Sequence, residues 1–125
     1  MGKNPYTTDV IAGKWFMKKQ ILKQYELDVL IVDKTITSFD NIYMQFNADG
    51  TGIYNEGSAN LTFKWNILNE VLTVTKKLSD EQVLVSPYHI ETLTTGELVM
   101  TYDHAYKDPR NANTYRDVSQ EFYTR

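Results

Sequence analysis

The chain has no cysteine, so neither a disulfide framework nor a thiolate metal site is open to it. Its two histidines, His89 and His104, are too few for a three-histidine metal centre. Neither belongs to a His-Glu-x-x-His pair, and both read as surface or rim residues. No apolar run approaches the ~20 residues of a membrane-spanning helix. Basic residues are not clustered: Lys18-Lys19 and Lys76-Lys77 are doublets, and the net charge is −3. A nucleic-acid phosphate footprint needs more positive charge than that. Asp49-Gly50-Thr51-Gly52 lacks the lysine and the following helix that would make it a phosphate loop. There is no Gly-x-Ser-x-Gly elbow and no thiol nucleophile. No catalytic residue, metal ligand or cofactor is therefore assigned, and the chain is not expected to be an enzyme.

What is present is β-structure. A length of 125 residues suits one domain, and 42% apolar residues with nine tyrosines supply a real core. Residues 1–10 open with the polar Met1-Gly2-Lys3-Asn4-Pro5 and read as an N-terminal extension, left where an export signal has been trimmed. Residues 11–125 form the domain. Period-two alternation with frequent turn signals places strands at 13–23, 36–46, 51–57, 60–68, 70–77, 83–92, 97–105 and 114–124. Residues 21–30, with Ile21, Leu22, Tyr25 and Leu27 loosely at helical spacing, read as extended chain with a short helical turn. Asp49-Gly50 supplies the positive-φ position of a hairpin loop, and Lys107 to Asn113 is the longest polar loop. Eight strands in meander order, without crossover helices, predict an all-β fold: a closed eight-stranded antiparallel up-and-down β-barrel.

Gly13-Lys14-Trp15 opens the first strand, and Arg125 ends the last. If those strands pair antiparallel, Arg125 lies beside Trp15 and can cover its ring as a cation. Alternation puts Gly13, Trp15 and Met17 inward, with Leu61, Phe63, Trp65 and Ile67, then Leu72 and Val74. It also turns Leu98, Met100, Tyr102 and His104 inward, and Arg116, Val118, Gln120 and Phe122 on the last strand. The expected lining of a ligand site is Met44, Trp65, Tyr88, Met100 and Tyr102, with Arg116 and Gln120 as polar contacts.

In order along the chain, Ile11-Ala12-Gly13-Lys14-Trp15, Phe46-Asn47-Ala48-Asp49-Gly50-Thr51-Gly52 with Tyr54, Phe63-Lys64-Trp65-Asn66-Ile67 and Leu72-Thr73-Val74 are followed by Ile90-Glu91-Thr92-Leu93-Thr94, Glu97-Leu98-Val99-Met100 and Phe122-Tyr123-Thr124-Arg125. This series resembles the lipocalin superfamily (calycins), and more closely the small lipocalin-like domains of exported proteins from gut bacteria. The resemblance implies a binding protein for a small apolar or amphipathic molecule such as a lipid. It also implies a place in the periplasm, the outer membrane or the cell surface, free or tethered as a lipoprotein. A different expectation comes from barrel-scaffold protease inhibitors. There a surface loop, here 106–113 with Pro109 and Arg110, would engage a protein partner.

Overall fold

Strand after strand pairs with its successor, as the turn spacing requires. The computed structural model describes residues 8–39, 41–57, 59–77 and 79–125. They form a short helical turn α1 (Thr8–Ile11) and the strands β1 (Gly13–Glu26), β2 (Val29–Ile36), β3 (Tyr43–Phe46), β4 (Thr51–Asn55), β5 (Asn60–Leu68), β6 (Val71–Lys77), β7 (Val83–Leu93), β8 (Glu97–Lys107) and β9 (Thr114–Thr124). Strand β1 also pairs with β9, so β1 and β3–β9 close an eight-stranded antiparallel barrel in up-and-down order. Most of the expected 1–10 extension lies outside the described residues.

Closure rests on β1, which serves three partners. One edge pairs with β9 from Phe16↔Thr124 to Glu26↔Tyr115. The other edge pairs first with β3, Gly13↔Phe46 to Phe16↔Tyr43, and then with β2, Gln20↔Ile36 to Glu26↔Val29. The strand expected at 36–46 is only Tyr43–Phe46 (β3), apart from Ile36, where the unexpected β2 ends. Between them the chain leaves the sheet, so that Phe39 and Ile42 pack against the core. The short helical turn expected within 21–30 is instead a β-hairpin. Leu27 and Asp28 both adopt positive φ (50° and 67°), the conformation a two-residue hairpin turn needs. A bulge between Met17 and Lys19 shifts the parity of β1. Trp15 and Met17 point inward before it, and Gln20, Leu22 and Gln24 share the inner face after it, opposite Glu121, Ser119 and Asp117.

At the end where β1 starts and β9 finishes, the barrel is shut. Trp15 is fully buried and its indole Nε1 donates to the Ile11 carbonyl at 2.7 Å. The Arg125 guanidinium lies 4.3 Å from the Trp15 ring centroid and donates to the carbonyls of Ala12 and Val10. The expected cation cover is thus in place. Gly13 makes room for it: its φ is +127°, and a Cβ there would lie 2.6 Å from an Arg125 nitrogen. Phe46 packs edge-on against Phe63 (5.6 Å) and Trp65 (5.4 Å). Leu72, Val74, Ile90, Leu98 and Met100 complete the buried layer.

Beyond the ring, β2, β1, β9 and the last part of β8 continue as a four-stranded ribbon. β7 pairs with β8 only up to His89↔Thr101, so β8 from Tyr102 onward has β9 as its ladder partner. Leu27, Val29, Leu30, Ile31 and Val32 are exposed on this ribbon. Among the described residues, no helix is long and apolar enough to cross a membrane.

Two stability measurements follow. Trp15→Ala should lower unfolding free energy by about 3–5 kcal/mol in urea titration, because it removes a fully buried large side chain. Leu27→Asn should raise it by about 1 kcal/mol, because asparagine tolerates the left-handed backbone that leucine resists.

Candidate functional site

A cavity of about 300 Å³ lies inside the barrel beside the packed layer. Met17, Phe39, Ile42 and Met44 give it an apolar wall, from β1, β3 and the segment that precedes β3. Tyr54 of β4, Lys76 of β6, Tyr88 of β7, Glu121 and Tyr123 of β9, and Gln20 of β1 give it a polar one. An eight-stranded barrel has an interior that side chains can fill or that can hold one small ligand.

Glu121 is the central polar group and is 8% exposed. Tyr123 donates its hydroxyl to Glu121 Oε1 at 2.6 Å, and Ser119 donates to Oε2 at 3.2 Å. Gln20 Nε2 in turn donates to Ser119 Oγ at 3.0 Å. Burial pushes the Glu121 carboxyl above its ordinary value, against the opposing pull of the Tyr123 and Ser119 hydrogen bonds and of the Lys76 charge. Burial likewise raises the Tyr54 phenol to about 12 and the Tyr88 phenol further, with Glu121 adding to both.

The seven residues expected to line a site divide into four groups. Met44 and Tyr88 do line the cavity. Trp65 and Met100 are core: Trp65 donates from Nε1 to the carbonyls of Asn47 and Thr51, pinning the β3–β4 hairpin, and Met100 is fully buried. Tyr102 stands further out, where rings at Tyr88, Tyr102, His104, Tyr106 and Tyr115 follow one another at centroid spacings of 5.5–6.1 Å. Leu22, Gln24, Val32, Asp117 and Ser119 flank Tyr102 around a second hollow of about 270 Å³.

Arg116 and Gln120 are on the opposite face from the one expected. Arg116 forms a two-point ion pair with Asp103 on the outer wall (2.8 and 2.5 Å). Gln120 donates to Glu91 there at 2.6 Å. The apolar look of Val118 and Phe122 pointed to the even-numbered residues, whereas β9 turns Asp117, Ser119, Glu121 and Tyr123 inward. A usable signal was present. Arg125 covering Trp15 fixes the odd-numbered residues of the last strand as inward, because side chains alternate on a period of two.

Elsewhere the chemistry is committed or exposed. Of the expected 106–113 loop, Tyr106 and Lys107 end β8, and the rest is braced by Asp108, which accepts from the Arg110 guanidinium and backbone; those bonds hold the Asp108 carboxyl below the usual range. His89 and His104 are exposed. Among the described residues, no group of three or more His, Cys, Asp or Glu is placed to hold a metal ion. A larger hollow, about 580 Å³, lies along β4, β5 and β6 among Ile53, Phe63 and residues such as Thr62, Lys64 and Lys77, most of whose polar members are exposed. The inner cavity is the better candidate because it brings a buried carboxyl, Glu121, to an apolar wall.

No protein-family model, curated protein or solved structure matches the chain. The geometry itself defines the class: a closed eight-stranded antiparallel β-barrel, compatible with a lipocalin-like fold.

The raised carboxyl has a stability consequence of definite sign. A group whose folded value exceeds its unfolded one stabilises fully below the unfolded value and loses that contribution as pH rises through the folded value. Wild type should therefore lose stability relative to Glu121→Gln as pH climbs out of the ordinary carboxylate range. Paired urea titrations across that range check this; a constant difference would refute it.

Proposed function

We propose that this barrel is a non-enzymatic binding protein for a small apolar or amphipathic molecule held in the inner cavity. The observation that carries the reading is the pairing of one apolar wall, Met17, Phe39, Ile42 and Met44, with one polar wall built on Glu121, Tyr54 and Tyr88. Such a site buries a hydrocarbon body and orients a head group. Glu121 is held by two hydrogen-bond donors, an arrangement suited to fixing a ligand. Export to the periplasm or cell surface belongs to the same proposal and is supported by the resemblance of Ile11–Trp15 and the later segments to exported lipocalin-like domains. A second reading, a loop-presenting inhibitor, is supported by Arg110, whose side chain is 88% exposed at the tip of the β8–β9 hairpin.

Native mass spectrometry of protein recovered gently from a bacterial periplasm separates the two. A binder carries a discrete added mass that denaturation removes. Tyr88→Ala should lose at least about tenfold in affinity for that ligand, as loss of a wall aromatic entails, while Arg110→Ala binds as wild type. A bare polypeptide mass, with no uptake of hydrophobic probes, would overturn the cavity reading in favour of the loop.

A further inference from the structure

The polar wall of the cavity has a chemical direction. Gln20 donates to Ser119, so the Ser119 proton goes to Glu121, and Tyr123 donates to the other oxygen. Both carboxyl oxygens thus accept, and the two donors that fix them, Ser119 and Tyr123, come from β9, with Gln20 of β1 behind Ser119. Glu121 also lines the cavity, and its ionised carboxylate has only acceptor sites. A ligand group that donates is the one that form receives.

Charge narrows the choice. Two carboxyl groups, Glu121 and Glu56, line the cavity against one ammonium, Lys76. No ion pair joins Lys76 to Glu121; its Nζ lies 4.9 Å over the ring of Tyr54. The ring of Tyr54 therefore already serves as a cation's seat, and Tyr88 and Phe39 add aromatic surface to the same space. An anionic head group would meet two like charges. A cationic one would meet a carboxylate at its charge and aromatic and thioether groups around its body.

We infer that the cavity selects a small apolar molecule carrying a protonated amine, which Glu121 anchors and the Tyr54, Tyr88 and Phe39 rings enclose. This rests on the reading of the cavity as a ligand site. Glu121 is a binding residue, and Ser119, Tyr123 and Gln20 are positioning residues that aim its lone pairs.

The test uses three probes of one shape on the whole chain: phenethylamine, phenethyl alcohol and phenylacetate, by titration calorimetry at neutral pH. The amine should bind about tenfold or more tighter than the alcohol, as expected for a hydrogen bond between charged groups, and phenylacetate should bind weakest. Glu121→Gln should bring amine and alcohol affinities together. Should that variant fail to fold, wild type supplies the same answer. Amine affinity should fall as acid protonates Glu121, while alcohol affinity holds. The phenols of Tyr54, Tyr88 and Tyr123, the Lys76 ammonium and the Glu56 carboxyl line the same space. Glu56→Gln should keep the dependence. Alcohol or phenylacetate binding as tightly as the amine, with Ile42→Trp blocking all three, would overturn the amine assignment and leave the binding reading standing. Failure of every probe to bind would overturn both.

Discussion

The meeting of the first strand with the last governs this molecule. An up-and-down sheet becomes a barrel only if its first and last strands find each other, and each residue of β9 must then lie at a fixed height along β1. Trp15, Gly13 and Arg125 set that height. The indole fills the floor of the barrel and is tied to Ile11, while the guanidinium lies on the ring and is tied to the carbonyls of Ala12 and Val10. Arg125 fits only because position 13 has no side chain. With that contact fixed, the pairing from Phe16↔Thr124 to Glu26↔Tyr115 follows, interrupted by the bulge at Lys18. The bulge absorbs the mismatch between a strand that must face Trp15 inward at its start and Gln20 inward at its middle.

The same register decides what faces the interior. β9 carries Asp117, Ser119, Glu121 and Tyr123 to the inside, an arrangement that costs desolvation energy unless every polar group is satisfied. Here each is answered: Gln24 by Asp117, Gln20 by Ser119, and Ser119 and Tyr123 by Glu121. The inner face of β1 and β9 thus carries two separate polar groups, one built on the buried carboxyl and one at Gln24 and Asp117 in the ribbon beyond the ring. On the outside the even-numbered residues of β9 do different work. Arg116 with Asp103 ties β9 to β8, Gln120 with Glu91 reaches across β8 to β7, and Lys19 lies 4.4 Å over the Phe122 ring.

The ribbon formed by β2, β1, β9 and the end of β8 shows how far a barrel can extend past its own closure. Its inner face continues the aromatic series from Tyr88 through Tyr115. Its outermost strand, β2, is exposed along nearly its whole length and has only β1 beside it. Such an edge is a template for unwanted pairing, and Asp33 and Lys34 within it are the charged residues that blunt it.

The fold was legible in the sequence because barrels are written in short-range code. Period-two alternation, Asp49-Gly50 and the spacing of the other turns gave most strands near their true places, and Gly13-Lys14-Trp15 with Arg125 announced closure. The first hairpin was not legible, since Leu27-Asp28 carries none of the glycine or asparagine that marks such a turn, and the inward fold of Phe39 and Ile42 is a long-range packing effect. The candidate site was legible only in part. Met44 and Tyr88 belong to strands whose apolar face is clear, but Arg116 and Gln120 were assigned inward because the polar pattern of β9 reads backward. The sequence by itself determined the class of architecture and the clamp at its closed end, because alternation and turn chemistry act between neighbours in the chain. Tertiary structure alone decided that Glu121 is the buried polar centre. A carboxyl is placed inside only by the register of the strands across from it, and the hydrogen bonds that make its burial tolerable come from residues as far away in sequence as Gln20.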